Sequence, residues 1–168
     1  MLFSVESFLS QDESFELLCD AFSADEKAWY GNSVKSGDYW DGRKLPYSSK
    51  TMEILNLRLS KYFADYELIS PFHSIQRIPV DDYMGEHNDK NIPENKYGCV
   101  VYINDDYEGG ELVFPRMGIT VKPKAGMLLV HSSEEPHLIN TVRMKTRYMM
   151  TCFVYGSIDS DPKIIVKP

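Results

Sequence analysis

With 168 residues, 43% of them hydrophobic and 12% aromatic, the chain has enough apolar material for one domain whose core needs no disulfide framework. Its 25 acidic against 18 basic residues leave a net charge of −7, which repels a phosphate backbone and argues against a nucleic acid partner. The three cysteines, Cys19, Cys99 and Cys152, form no CxxC pair, which disfavours a zinc ribbon and fits a reducing, cytoplasmic setting. No apolar run reaches membrane-spanning length, and MLFSVESFLSQDE lacks the basic start and unbroken apolar stretch of a signal peptide.

In SQDESFELLCDAF, Ser10 followed by Glu13 is a capping-box pattern, and Phe15, Leu18 and Phe22 recur at helical spacing, predicting a helix over 11–22. The segment GNSVKSGDYWDGRKLPYSS, 31–49, reads either as a surface connection or as a lid carrying Tyr39 and Trp40. Met52, Leu55, Leu59, Tyr62 and Phe63 share one face of a second helix over 50–63. From about residue 66 the period becomes that of strands, in roughly eight pieces that include SIQRI, GCVVYI, ELVF, GMLLV, LINTV and RYMMTCFVY. YEGGE and PKAG between them are turn chemistry. The expected fold is mainly β, a double-stranded β-helix (a cupin-like jelly roll) with N-terminal helices on one side. As one domain, 1–65 supplies the helical support and lid loop, 66–157 the barrel and 158–168 a tail.

GEHNDKN, at 85–91, sets His87 and Asp89 two residues apart, so that on an extended strand end both side chains face the same way. HxD alone is a weak signal. His137 opens a strand-like run 50 residues after His87, and Arg147 follows ten residues later in the next strand, which makes the combination far rarer. Two neutral imidazoles and one carboxylate on one side of a metal leave the opposite positions open, as Fe(II) needs if it is to hold a cosubstrate and O2 together. Four protein ligands would instead close the site. Arg147, always charged, would grip a carboxylate of that cosubstrate with two parallel hydrogen bonds.

From about Ile75 to Tyr155, the order HND, VVYIND, YEGGELVF, VKPKAGMLLV and HLINTVRMKTRY resembles the Fe(II)- and 2-oxoglutarate-dependent oxygenases, in their prolyl 4-hydroxylase-like branch. The resemblance implies His87, Asp89 and His137 as iron ligands, and Arg147 with Tyr102 as partners of the distal carboxylate of 2-oxoglutarate. It implies Fe(II), 2-oxoglutarate and O2 as cofactors, with ascorbate as a candidate accessory, and hydroxylation of a C–H bond with release of succinate and CO2. The substrate would be a peptidyl residue, proline first, or else a free amino acid or other small metabolite.

Four positions depart from that branch. Ile78 stands where a tyrosine is common and Lys145 where a glycine is. Asn95 and Phe153 occupy positions that hold arginine and tryptophan near the substrate in peptidyl-proline hydroxylases. His131 reads as a strand-end residue behind the ligands, His73 as surface, and the pairs Asp81–Asp82 and Asp105–Asp106 as solvated turn faces. A jelly-roll binding module without turnover is the rival class, though it gains nothing from four converging polar groups that are costly to bury. A cupin-like isomerase or zinc hydrolase would leave Arg147 without a task.

Overall fold

The computed structural model describes residues 2–30, 43–63, 68–90 and 94–155. In chain order its elements are β1 (Leu2–Val5), α1 (Gln11–Ser23), β2 (Arg43–Pro46), α2 (Lys50–Ser60), β3 (Leu68–Ser70), β4 (Ser74–Ile78), β5 (Met84–His87), β6 (Asn95–Tyr102), β7 (Glu108–Gly109), β8 (Leu112–Phe114), β9 (Ile119–Val121), β10 (Leu128–Ser132), β11 (His137–Ile139), β12 (Val142–Arg143) and β13 (Arg147–Tyr155).

α1 begins where the capping box places it. Ser10 Oγ accepts from the Glu13 N–H at 3.1 Å, and the Ser10 N–H donates to Glu13 Oε2 at 2.8 Å. Glu13 also binds Arg58 at 2.7 Å, tying the start of α1 to the end of α2. The buried stripe of α1 is Ser14, Leu17 and Ala21, not the one marked by Phe15 and Phe22, which are 70% and 68% exposed. Leu17, fully buried, is the large member of that inner face, between the smaller Ser14 and Ala21. Phe22 instead meets Tyr148 edge-on, with ring centroids 5.5 Å apart. α2 stops at Ser60, and Tyr62 and Phe63 follow in a tightened turn whose N–H groups reach Leu59 and Ser60, yet Phe63 stays buried beside Met52, Leu55 and Leu59.

The larger sheet runs β1-β10-β6-β13-β4-β2, with β3 also on β13, and the smaller runs β5-β11-β8-β9; β12 pairs with β7. All of these pairs are antiparallel. Alternation along the central strands sorts side chains into two cores. Cys99 and Val101 of β6 with Ile103 just after it, Leu128 and Val130 of β10, and Met150, Cys152 and Val154 of β13 pack with Leu17, Ala21, Leu55 and Leu59 of the helices. Val100, Tyr102, Leu129 and Met149 face the other way, onto Leu112, Phe114 and Ile139 of the smaller sheet. The helices therefore lie on one face of the larger sheet, and the second core lies between the two sheets, the jelly-roll arrangement expected.

More of the chain is strand than the periodicity indicates. β1 precedes the helices and pairs with β10, and β2, inside the segment read as a loop or lid, pairs with β4. Both are short edge strands whose identity is fixed by the partner they meet. LINTV divides into β11 and β12 around Asn140. The possible lid residues Tyr39 and Trp40, and the tail 158–168, lie outside the described residues. No helix among the described residues is long and apolar enough to cross a membrane.

Candidate active site

The smaller sheet brings two imidazoles together. His87 ends β5 and His137 opens β11; they are direct cross-strand partners, with ring centroids 4.4 Å apart. Asp89 lies just past the strand, and its backbone is pinned from both sides. Its N–H donates to the Ser133 carbonyl at 2.9 Å, and its own carbonyl accepts from Asn95 Nδ2 at 3.2 Å. The carboxylate is thereby aimed between the rings, with Oδ1 3.9 Å from His87 Nε2 and Oδ2 4.0 Å from His137 Nε2. One ligand atom from each of the three residues falls within 4.8 Å of the others.

Backbone carbonyls fix the ring states. Nδ1 of His87 lies 2.9 Å from the Gly85 carbonyl, and Nδ1 of His137 2.9 Å from that of Glu135. Each Nδ1–H donates to its carbonyl, leaving the Nε2 lone pair facing Asp89, which is the tautomer a metal ligand needs. Burial pushes the Asp89 carboxyl up, against the pull of His137 and His87, and burial pushes His137 down. A divalent cation among these atoms would restore the charge that burial disfavours. The donor set, two neutral nitrogens and a carboxylate, suits Fe(II) with open positions.

His131, on β10, is closer to this group than its sequence suggests. Its Nε2 lies 3.8 Å from Asp89 Oδ2 and its ring centroid 4.4 Å from that of His137; burial drives its pKa down to about 3, so it is neutral. Opposite it on β6 is Gly98. A Cβ there would fall 2.6 Å from the His131 ring and 2.8 Å from Asp89 Oδ2, so the absence of a side chain at 98 is what admits both groups.

Toward the opposite end of β6 and β13, Arg147 is fully buried and lies 5.0 Å from the Tyr102 ring. Its Nη1 donates to the Gly110 carbonyl at 3.0 Å, while Nε and Nη2 have no partner among the described residues, nor does the Tyr102 hydroxyl. From Gly98 to Tyr102 is four residues of strand, roughly 13 Å. A buried guanidinium edge and phenol left unpaired are expensive, unless an anionic ligand completes them.

Residues 73–155 match the family model described as the 2OG-Fe(II) oxygenase superfamily. The chain belongs to that superfamily. Its members use Fe(II), 2-oxoglutarate and O2. The fold of this oxygenase is similar to that of a prolyl-4-hydroxylase of Pseudomonas putida, with a TM-score of 0.70 at 20% identity, covering 93% of this chain and 92% of that one. It is also similar to the viral collagen prolyl hydroxylase of Paramecium Bursaria Chlorella virus-1, solved as its 2OG complex, with a TM-score of 0.66 at 18% identity and coverage of 93% and 96%. A Trichoplax adhaerens prolyl hydroxylase, solved with a hypoxia inducible factor peptide fragment, gives 0.67 at 12% identity over 95% and 87%. Human prolyl 3-hydroxylase 2 is 40% identical over 53 aligned positions, which cover 27% of this chain and 8% of that protein. The chain thus spans under a tenth of the length of that curated relative.

The departures now have places in the oxygenase. Ile78 is buried directly opposite Arg147 on β4, and its side chain carries no hydrogen-bonding group. The turn before Arg147 is built without glycine: Met144 takes φ +67°, and the Lys145 N–H closes onto the Arg143 carbonyl at 2.8 Å, while Lys145 Nζ pairs with Asp106. Asn95 holds the Asp89 loop, a role that its sequence position does not suggest, and Phe153 lies opposite Gly98 on β13. Asp81, Asp105 and Asp106 are exposed as expected and so is His73, but Asp82 is buried, and its carbonyl accepts from the Val142 N–H at 2.9 Å. Tyr107, in the turn YEGGE, is a further buried hydroxyl without a partner among the described residues, and only its aromatic character inside a turn hinted at it.

Proposed function

We propose that the protein is a 2-oxoglutarate-dependent dioxygenase in which His87, Asp89 and His137 hold Fe(II) and Arg147 with Tyr102 holds the distal carboxylate of 2-oxoglutarate. The observation that carries this reading is the pairing of two features: three ligand atoms within 4.8 Å, and a fully buried guanidinium whose Nε and Nη2 have no partner among the described residues. When bound, the iron and 2-oxoglutarate supply oxidative decarboxylation to succinate and CO2 and the oxidising power for a C–H bond. The chain's own residues orient. Gly85 and Glu135 carbonyls keep both Nε2 atoms unprotonated, Ser133 and Asn95 hold the Asp89 backbone, and Val100, Leu129 and Met149 keep water out of the space between the two ends.

The substrate proposed is a polypeptide, with a prolyl residue as the first candidate. It is supported by the prolyl hydroxylases among the similar structures, one of them solved with a peptide. The test is succinate release by the iron-loaded protein across a panel of prolyl peptides and free proline, with mass spectrometry for a gain of one oxygen. Peptide-dependent succinate and a hydroxylated peptide are expected. Turnover of free proline alone would refute the peptide reading, and no iron-dependent succinate under any condition would refute the enzymatic one.

A further inference from the structure

Among the described residues, eight buried side-chain polar atoms lack a hydrogen-bond partner, and four of them belong to one place: Tyr102 Oη, Tyr107 Oη, Arg147 Nε and Arg147 Nη2. Tyr102 and Tyr107 share the inter-sheet core. Gly110 links Tyr107 to Arg147: its carbonyl takes Arg147 Nη1 at 3.0 Å, and a Cβ on it would fall 2.9 Å from Tyr107 Cε2. With φ +65°, Gly110 lies against both side chains, the Tyr107 ring and the Arg147 guanidinium.

The four atoms form a complementary set. Nε and Nη2 are one edge of the guanidinium, a fork that satisfies two lone-pair sites of a carboxylate, and a carboxylate has about four such sites. Two O–H donors complete it. Tyr102 supplies one, and Ile78, across the strand pair from Arg147, supplies none. We propose that Tyr107 supplies the other, as a second phenol binding the distal carboxylate. Burial raises the pKa of both phenols, so each is a protonated donor near neutral pH. The inference rests on the proposed function, because it takes the anion at Arg147 to be the far end of a metal-chelated 2-oxo acid.

The test measures binding, not turnover. The full chain loaded with Mn(II) is titrated calorimetrically with N-oxalylglycine, which carries the distal carboxylate, and with N-methyloxamate, which keeps the chelating end and lacks it. Wild type should bind N-oxalylglycine in a Mn(II)-dependent way; if it does not, the functional reading fails before Tyr107 is at issue. Given that binding, Tyr107→Phe should weaken N-oxalylglycine by about tenfold or more, the effect of one hydrogen bond to a charged group, and leave N-methyloxamate within about twofold. The variant removes an unpaired buried hydroxyl without changing the ring, so the ligand-free protein should melt no lower than wild type. Unchanged N-oxalylglycine affinity, or equal weakening of both ligands, would overturn the assignment.

Discussion

Gly98→Ala places one methyl group where the site has no room for it. The added Cβ would fall 2.6 Å from His131 Cε1 and Nε2 and 2.8 Å from Asp89 Oδ2, against the roughly 3.5 Å at which such atoms rest in contact. Neighbours must therefore yield by about 0.7 Å or more. His131 is held by the Ser132 carbonyl at 3.1 Å and flanked by Phe114 and His137, so the carboxylate of Asp89 takes much of the displacement. Stability should fall by no more than about 2.5 kcal/mol: overpacking costs about 1–3 kcal/mol, of which alanine in a strand regains about 0.5–1 kcal/mol over glycine. Metal affinity should fall by about 10–100-fold, as when the support of a ligand is disturbed. Calorimetric Mn(II) titration, with thermal melting of the metal-free protein alongside, separates the two effects. A variant that binds Mn(II) within twofold of wild type would show that Gly98 does not shape the metal site.

His137→Ala should abolish measurable Mn(II) binding in the same titration, and with it 2-oxoglutarate binding. Arg147→Ala should leave Mn(II) affinity within a few fold but lose about 2–5 kcal/mol of 2-oxoglutarate binding, upward of about thirtyfold in Kd. Metal removal is itself a stability test: Mn(II) at a hundred times its Kd should stabilise the fold by about 2.7 kcal/mol, read as a rise in Tm that a chelator reverses. In chelator, acid should destabilise the protein from pH 6.5 downward. The unfolded chain protonates His131 near 6.5, whereas the folded chain waits until about 3, so the stability is full above 6.5 and lost as pH falls toward 3. His137, also held down by burial, adds to this, while Asp89, held above its ordinary 3.8, partly offsets it at the acid end. A Tm that stayed flat from pH 7 to 4 would contradict the burial of these imidazoles.

The strand-borne part of the site was legible because alternation makes side-chain direction a matter of counting. His87 and Asp89 two apart must face alike, and Tyr102 shares the inward parity of Val100, so motif order and strand period agree. Arg147 drew attention by type, since few other side chains can hold a carboxylate by two parallel bonds, and the structure adds that it is fully buried. What escaped depends on packing between distant segments. Phe15 and Phe22 obey helical spacing as well as Leu17 and Ala21 do, and only the closeness of the sheet decides which stripe turns inward. β1 and β2 are four residues each and take their strand form from β10 and β4. The nearness of His131 to Asp89 follows from the pairing of β10 with β6 opposite Gly98, a register with no local signature. Tyr107 sits in a glycine turn, where a hydroxyl is ordinarily solvated, and it is buried here with its ring against Gly110.

The most direct test is a crystal of the full chain grown with Mn(II) and N-oxalylglycine, with the metal located by its anomalous signal. The expected result is one ion about 2.0–2.3 Å from His87 Nε2, His137 Nε2 and an Asp89 carboxylate oxygen, with the far carboxylate of the ligand on Arg147. An ion bound elsewhere, an ion held by His131 in place of one of the three, or a ligand whose far carboxylate avoids Arg147 would contradict the account.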